Sequence, residues 1–172
     1  ISLDTVRPDH LSCYGYDRAT TPHLDQVAAE GSLFTRAFAQ ASTTFPSHLS
    51  MLTSQYPTLA WSRWEDDALE PETQSLVEVF NAHRYVTGAF TNLESIGGNQ
   101  SLLDSRPSME FQYSFTGFEY RALPQDLFDW LRRHRQERFF LFLHAFDAHH
   151  PHVLPMRYDA KRFNPAYAGS IP

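Results

Sequence analysis

Residues 139–146, Phe139-Phe140-Leu141-Phe142-Leu143-His144-Ala145-Phe146 (FFLFLHAF), decide the fold class. The run is apolar except at His144 and shows no alternation between apolar and polar positions. That is the signature of a strand covered on both faces, as in a parallel sheet. The strand ends in Asp147-Ala148-His149-His150-Pro151-His152, so it carries polar groups just past its carboxyl end. His144, inside the apolar run, reads as a core histidine. His149 and His152 are the better candidates for metal ligation or acid catalysis, with a solvated loop as the alternative.

Upstream of this strand, Pro124–Arg135 has the spacing of an amphipathic helix, with Leu127, Trp130 and Leu131 on one face. Tyr85–Phe90 (YVTGAF) reads as a second strand, and residues 91–119, rich in Asn, Ser and Gly, as a long loop. Thr73–His83 reads as helix, with Leu76, Val77, Val79 and Phe80 as its apolar positions. Residues 58–72 read as surface loop. Thr43-Thr44-Phe45-Pro46 resembles a capped, proline-initiated helix start, which predicts a helix over Ser47–Ser54. Ser32–Phe38 alternates and predicts a strand. Thr21-Pro22 starts an earlier helix with Leu24, Val27 and Ala28 as its apolar stripe and Gly31 as its stop. At the amino end, Ile1-Ser2-Leu3 is a short strand that delivers Asp4. Strands alternate with helices, which predicts an α/β layered fold with a mostly parallel sheet flanked by helices. Ligands in such sheets bind beyond the carboxyl ends of the strands, and Asp4, Asn92 and the His149 cluster all occupy such positions.

Composition narrows the function classes. In 172 residues, 42% are apolar and 15% aromatic, which suits a packed core. The net charge of −6 argues against nonspecific binding to nucleic acid, although it does not exclude an anionic substrate. Cys13 is the single cysteine, so no internal disulfide can form. No apolar run is long enough to span a membrane. Periplasmic, extracytoplasmic and membrane-attached placements all stay open. The chain begins at Ile1 within a strand and closes at Ser170-Ile171-Pro172 without a finishing element, which suggests an incomplete piece.

Two constellations carry chemistry. The first is Thr44-Phe45-Pro46-Ser47-His48, where a hydroxyl stands at a helix start and the helix amino terminus favours an anion. A helix cap is the plainer reading of Thr44. The second is Asp4, a carboxylate at a strand end that could hold a hard divalent cation or simply cap a loop. Arg7, Asp9 and His10 add polar groups nearby and read as surface.

Residues 1–58, ISLDTVRPDHLSCYGYDRATTPHLDQVAAEGSLFTRAFAQASTTFPSHLSMLTSQYPT, resemble the opening of the sulfatase domain in the alkaline phosphatase superfamily. The similarity runs through the strand ending in an acid, the C-Y-G-Y and T-P-x-L-D motifs, the A-x-E-G-x-x-F run, the nucleophile helix and the L-T-x-x-Y-P ending. FLFLHAFDAHHPH is similar to the family's later strand and its D-x-H-x-P loop. The resemblance implies an alkaline-phosphatase-like fold, with residues 1–172 as the N-terminal portion of one sulfatase-like domain truncated at both ends. It implies Asp4 as a metal ligand, Thr44 as nucleophile and metal ligand, and His149 as the residue assisting leaving-group departure. His48, at the position of the motif's Arg, joins the catalytic candidates, and Asn92 and His152 are the substrate-binding candidates.

The departures shape the expected chemistry. Sulfatases carry Cys or Ser in a C/S-x-P-S-R motif, which is matured to formylglycine; here Thr44 and His48 occupy the first and last positions, so no formylglycine is expected. Thr5 stands where a second acid is usual, and the Lys usual after the middle strand is not evident in GAFTNLESIGG. A Thr nucleophile resembles the phosphodiesterase, phosphonate-hydrolase and phosphoethanolamine-transferase branches. The implied cofactor is a divalent metal, zinc, manganese or calcium, and the implied partner is a sulfate- or phosphate-ester substrate. The family's downstream Asp-His or Asp-Asn metal pair has no counterpart here, which implies that the piece is not active by itself. A metal-dependent hydrolase with a Thr nucleophile is the leading reading; a phosphoethanolamine-transferase-like enzyme and an inactive ligand-binding domain are the alternatives.

Overall fold

A computed structural model of the chain describes residues 1–60, 73–91, 113–116, 125–145 and 148–149, with only the backbone at 59–60 and 113–116. Its elements, in chain order, are β1 (Ser2–Leu3), α1 (Pro22–Glu30), α2 (Thr44–Thr53), α3 (Pro57–Ala60), α4 (Leu76–Ala82), β2 (Val86–Thr91), β3 (Tyr113–Thr116), α5 (Gln125–His134) and β4 (Phe139–Ala145). The chain divides into two units, one of Ile1–Ser2 with Ala39–Ala145 and one of Leu3–Phe38 with Phe146–Pro172. Among the described residues, no helix is long and apolar enough to cross a membrane.

The first unit is built on the apolar strand from which the fold class was read. The sheet order is β1-β4-β2-β3, and β2 runs parallel to both β3 and β4. The register pairs Val86 with Phe139 and Phe90 with Leu143 on one side of β2, and Gly88 with Tyr113 on the other. Because side chains alternate across a strand, the β2–β4 ribbon presents two different faces. On one, Phe90 and Leu143 form a buried cluster with Leu127 and Trp130 of α5, joined by Val86, Leu131 and Leu141. On the other, Phe140 stacks on Phe80 of α4 at 4.4 Å between ring centroids, and Thr87 donates a hydrogen bond to Asn81 at 2.9 Å. Both faces are therefore covered, and this is why the strand has no polar face to show in the sequence.

Gly88 sets how closely α5 can lie on the sheet. A Cβ at this position would fall 2.8 and 2.9 Å from ring carbons of Trp130, so the indole occupies the space that any other residue would fill. Trp130 is 2% exposed. Burial of side chains of this size contributes on the order of 1.5–3 kcal/mol each. At the other face, α4 begins with a reciprocal cap: Ser75 Oγ accepts from the Glu78 N–H at 3.2 Å, and the Ser75 N–H donates to the Glu78 carboxylate at 2.6 Å. Two otherwise orphaned helix donors are satisfied in this way.

Four expectations from the sequence need correction. Residues 58–72 are not all loop, because α3 runs to Ala60. Residues 91–119 are not all loop, because β3 lies among them and pairs along β2 from Gly88–Tyr113 to Thr91–Thr116. Ser32–Phe38 is not a strand: the backbone turns at Thr35-Arg36, and Leu33, Phe34 and Phe38 are exposed. Among the described residues no strand pairs with it, and an apolar pattern alone does not satisfy backbone groups. The stripe expected on α1 is also not buried among the described residues; Val27 is 66% exposed. Gly31 does stop α1, but with φ −121°, so it does not use the left-handed conformation usual for a helix-ending glycine.

In the second unit the chain is organised by short 3-10 turns at Pro8–His10 and Ser12–Tyr14, the latter ended by Gly15 at φ 97°. Thr20 Oγ1 donates to the His10 carbonyl at 2.9 Å, and Tyr14 donates to the Phe34 carbonyl at 3.0 Å. These bonds hold the segment around α1 by polar contacts.

Candidate active site

Thr44 is the first residue of α2, with Thr43 as its cap in extended conformation (φ −114°, ψ 153°). The helix thus begins three residues ahead of the Ser47 start expected from the sequence. Pro46 sits in its first turn, where a missing N–H costs nothing because that N–H would have no intrahelical acceptor. The first helical bond runs from the Ser47 N–H to the Thr43 carbonyl at 3.3 Å. The Thr44 hydroxyl therefore stands at the positive end of a ten-residue helix dipole, half-buried. At the far end, Ser54 adopts the left-handed conformation (φ 58°) and returns its N–H to the Ser50 carbonyl at 2.8 Å.

His48 lies one helical turn after Thr44 and is 6% exposed. Its Nε2 is 2.7 Å from Ser2 Oγ, a hydrogen bond that joins α2 to the amino-terminal strand across 46 positions of sequence. The ring also meets His144 edge-on at 4.7 Å and Phe142 edge-on at 5.5 Å. His144 itself is fully buried, as expected of a core histidine. His48 thus sits between α2 and β4, enclosed by protein. Sequence reasoning identified the position but not Ser2, whose role has no local signal.

Asp4 and His149 belong to the second unit, each partly exposed. They are the covalent neighbours of two residues that bond to each other: Thr5 Oγ1 donates to the Ala148 carbonyl at 2.8 Å. The turn after β1 and the turn after β4 are tied at this point. Thr5 adopts φ 54°, a left-handed conformation that a β-branched residue reaches only at a cost of about 1–3 kcal/mol. Nearby, Arg7 donates to both carboxylate oxygens of Asp9, at 3.0 and 2.5 Å, and this bond holds the Asp9 carboxyl below its ordinary value. Both side chains are well exposed, in keeping with their reading as surface groups. Asn92 and His152, the substrate-binding candidates, lie outside the described residues.

The Asp4 carboxylate and the Thr44 hydroxyl are each hard oxygens, the donor type a divalent metal prefers. Among the described residues, no group of three acidic, His or Cys side chains comes together to hold one. A complete coordination shell would need donors from elsewhere.

The family model for Sulfatase matches residues 1–170. The chain is 40% identical over 77 residues to an N-acetylgalactosamine-6-O-sulfatase of Bacteroides thetaiotaomicron; the match covers 45% of this chain and 14% of that protein. It is 36% identical over 97 residues to human arylsulfatase A, covering 51% of this chain and 18% of the relative. The matched part is thus less than a fifth of the length of either relative. In three dimensions the chain resembles a solved structure from work on glycosaminoglycan metabolism by Bacteroides thetaiotaomicron, with a TM-score of 0.72 and 18% identity, over 93% of this chain and 52% of that one. It also resembles the phosphonate monoester hydrolase of Agrobacterium radiobacter, with a TM-score of 0.61 and 17% identity, over 91% of this chain and 42% of that one. At these identities the structural likeness establishes the fold, which is alkaline-phosphatase-like.

Proposed function

The chain belongs to the sulfatase family, and we propose that it forms the nucleophile-bearing part of a hydrolase of sulfate or phosphate esters in which Thr44 attacks the ester centre. The observation that carries this reading is the position of Thr44 as first residue of α2 within a chain that matches the family model along nearly its whole length. A hydroxyl there meets an anionic ester at the positive end of the helix.

In the proposed reaction, Thr44 Oγ gives its hydroxyl proton to solvent as it forms a bond to sulfur or phosphorus, and the bond from that atom to the ester oxygen breaks. His149 donates a proton to the departing oxygen. Water then cleaves the Thr44 ester, which releases sulfate, a phosphate monoester or a phosphonate according to the substrate and restores the hydroxyl, while His149 regains its proton from solvent. Dividing the displacement in this way replaces one difficult step with two easier ones. Asp4 is proposed to bind a divalent metal together with donors outside the described residues. When bound, such an ion lowers the pKa of a coordinated hydroxyl and offsets charge on the ester oxygens.

His48 is proposed to act by holding α2 in place, because its ring is buried and Nε2 is taken by Ser2. Asn92 and His152 are proposed to contact the substrate. Residues 1–172 are proposed to be part of one such domain. The relatives named above are sulfatases, whereas a threonine at position 44 suits phosphorus esters equally well, so the proposed substrate class covers both.

The test is Thr44→Ala in the full-length protein, assayed with aryl sulfates, aryl phosphate diesters and aryl phosphonates. Turnover of at least one class by the parent, loss in the variant, and mass-spectrometric trapping of a sulfated or phosphorylated Thr44 are the expected results. A variant that keeps its turnover refutes the assignment. A second reading, a domain that binds these esters without hydrolysing them, is favoured by Thr44 and His48 standing where the family's C/S-x-P-S-R motif has its first and last residues. It predicts ester binding with no turnover in the parent. Transfer of the phosphoryl group to an acceptor other than water, the phosphoethanolamine-transferase-like alternative, would show as an acceptor-dependent product in the same assay.

A further inference from the structure

Thr5 combines two features that call for a common explanation. Its backbone is in the left-handed region at φ 54°, which β-branched residues rarely occupy. Its side chain spends its donor on a single carbonyl, that of Ala148, at 2.8 Å and 143 positions away in sequence. The exposed surface does not require this bond, since a threonine hydroxyl there could donate to water. The bond nevertheless fixes a specific object. The Ala148 carbonyl belongs to the peptide unit between Ala148 and His149, which is planar, so anchoring its oxygen sets the direction in which the chain enters His149. The residue before Thr5 is Asp4, so one residue links the strand end bearing Asp4 to the turn bearing His149.

We propose that Thr5 is a positioning residue that anchors the peptide plane ahead of His149, and so aims the imidazole at the leaving oxygen. The inference rests on the reading of His149 as the group that protonates the departing alcohol. Sequence comparison with the family marks position 5 only as a lost acid; the structure assigns it a different task. Its left-handed backbone turns the Thr5 side chain toward Ala148, and the hydroxyl converts that orientation into a tether.

The experiment uses the full-length protein with Thr5→Val, which keeps shape and branching but removes the hydroxyl, and Thr5→Ser, which keeps the hydroxyl. The first readout, which needs no activity, is the NMR order parameter of the His149 N–H, a group in the anchored peptide plane. Thr5→Val should lower it from the rigid range, about 0.85, toward the flexible range, below about 0.6, and Thr5→Ser should restore it. The second readout is leaving-group dependence: Thr5→Val should depress kcat more for phenyl than for nitrophenyl esters, since the poorer leaving group needs the proton more. An unchanged order parameter at His149 in a folded Thr5→Val protein overturns the proposal. If the order parameter responds but His149→Ala shows no leaving-group dependence, the tether stands and the acid role of His149 fails. Should Thr5→Val not fold, Thr5→Gly removes both the strain and the hydroxyl; it must reproduce the lowered order parameter, and a parent-like value in that variant overturns the proposal.

Discussion

His48 offers the sharpest test of how α2 is held. The residue is 6% exposed, its imidazole bonded to Ser2 at 2.7 Å and in edge contact with Phe142 and His144. Replacement by Ala removes a net hydrogen bond of about 1 kcal/mol and ring contacts of about 0.5–1.5 kcal/mol each. It also opens a cavity, so the total is roughly 3 kcal/mol, at the low end for deletion of a buried ring. With a urea m-value near ~2 kcal/mol/M, the midpoint should fall by about 1.5 M. His48→Phe keeps the ring and its packing but gives up the Ser2 bond, for a loss of about 1 kcal/mol. Combining His48→Phe with Ser2→Ala should give a coupling energy of about 1 kcal/mol in a double-mutant cycle. Turnover is the second axis. If His48 only holds the helix, His48→Phe retains most of kcat despite its lower stability. A coupling energy of zero, or a folded His48→Phe protein with kcat reduced a hundredfold, refutes the reasoning; the latter would place His48 at the substrate.

Gly88→Ala should destabilise the protein by about 1–3 kcal/mol in urea unfolding, because the new methyl meets the Trp130 ring at 2.8–2.9 Å. Pairing it with Trp130→Leu should recover part of the Gly88→Ala loss through strong non-additivity. Ser75→Ala should cost about 1 kcal/mol by the same measurement, since it opens the reciprocal cap with Glu78. Asp4→Asn should lower both the metal content of the purified full-length protein, read by elemental analysis, and its turnover; full metal content in the variant removes Asp4 from the ligand set.

Much of the first unit was legible because its elements obey local rules. FFLFLHAF and YVTGAF are apolar runs of strand length, and Leu127, Trp130 and Leu131 mark the buried face of α5. β3 escaped notice for a physical reason. Its four residues, YSFT, become a strand by pairing with β2, and a parallel pairing leaves no turn signature nearby. Ser32–Phe38 failed in the opposite direction, with a strand-like pattern and no paired strand among the described residues. Thr44 and Asp4 became candidates through their surroundings in sequence, whereas the bonds Ser2–His48 and Thr5–Ala148 have no local signal, because they join residues 46 and 143 positions apart. A positive φ at a threonine likewise has no counterpart in composition or periodicity.

The discontinuous second unit has a consequence for biosynthesis. Leu3–Phe38 leaves the ribosome before its other half, which begins only at Phe146, after the whole of Ala39–Ala145 has been made. At ordinary elongation rates that interval is roughly 5–20 s, long compared with hydrophobic collapse. Throughout it, the Thr5 hydroxyl has no Ala148 carbonyl to meet, and a stretch bearing Val27, Phe34 and Phe38, side chains still 66–79% exposed in the folded chain, is already made while the rest of its unit is not. Leu3–Phe38 is therefore a segment on which a nascent-chain chaperone has seconds in which to act.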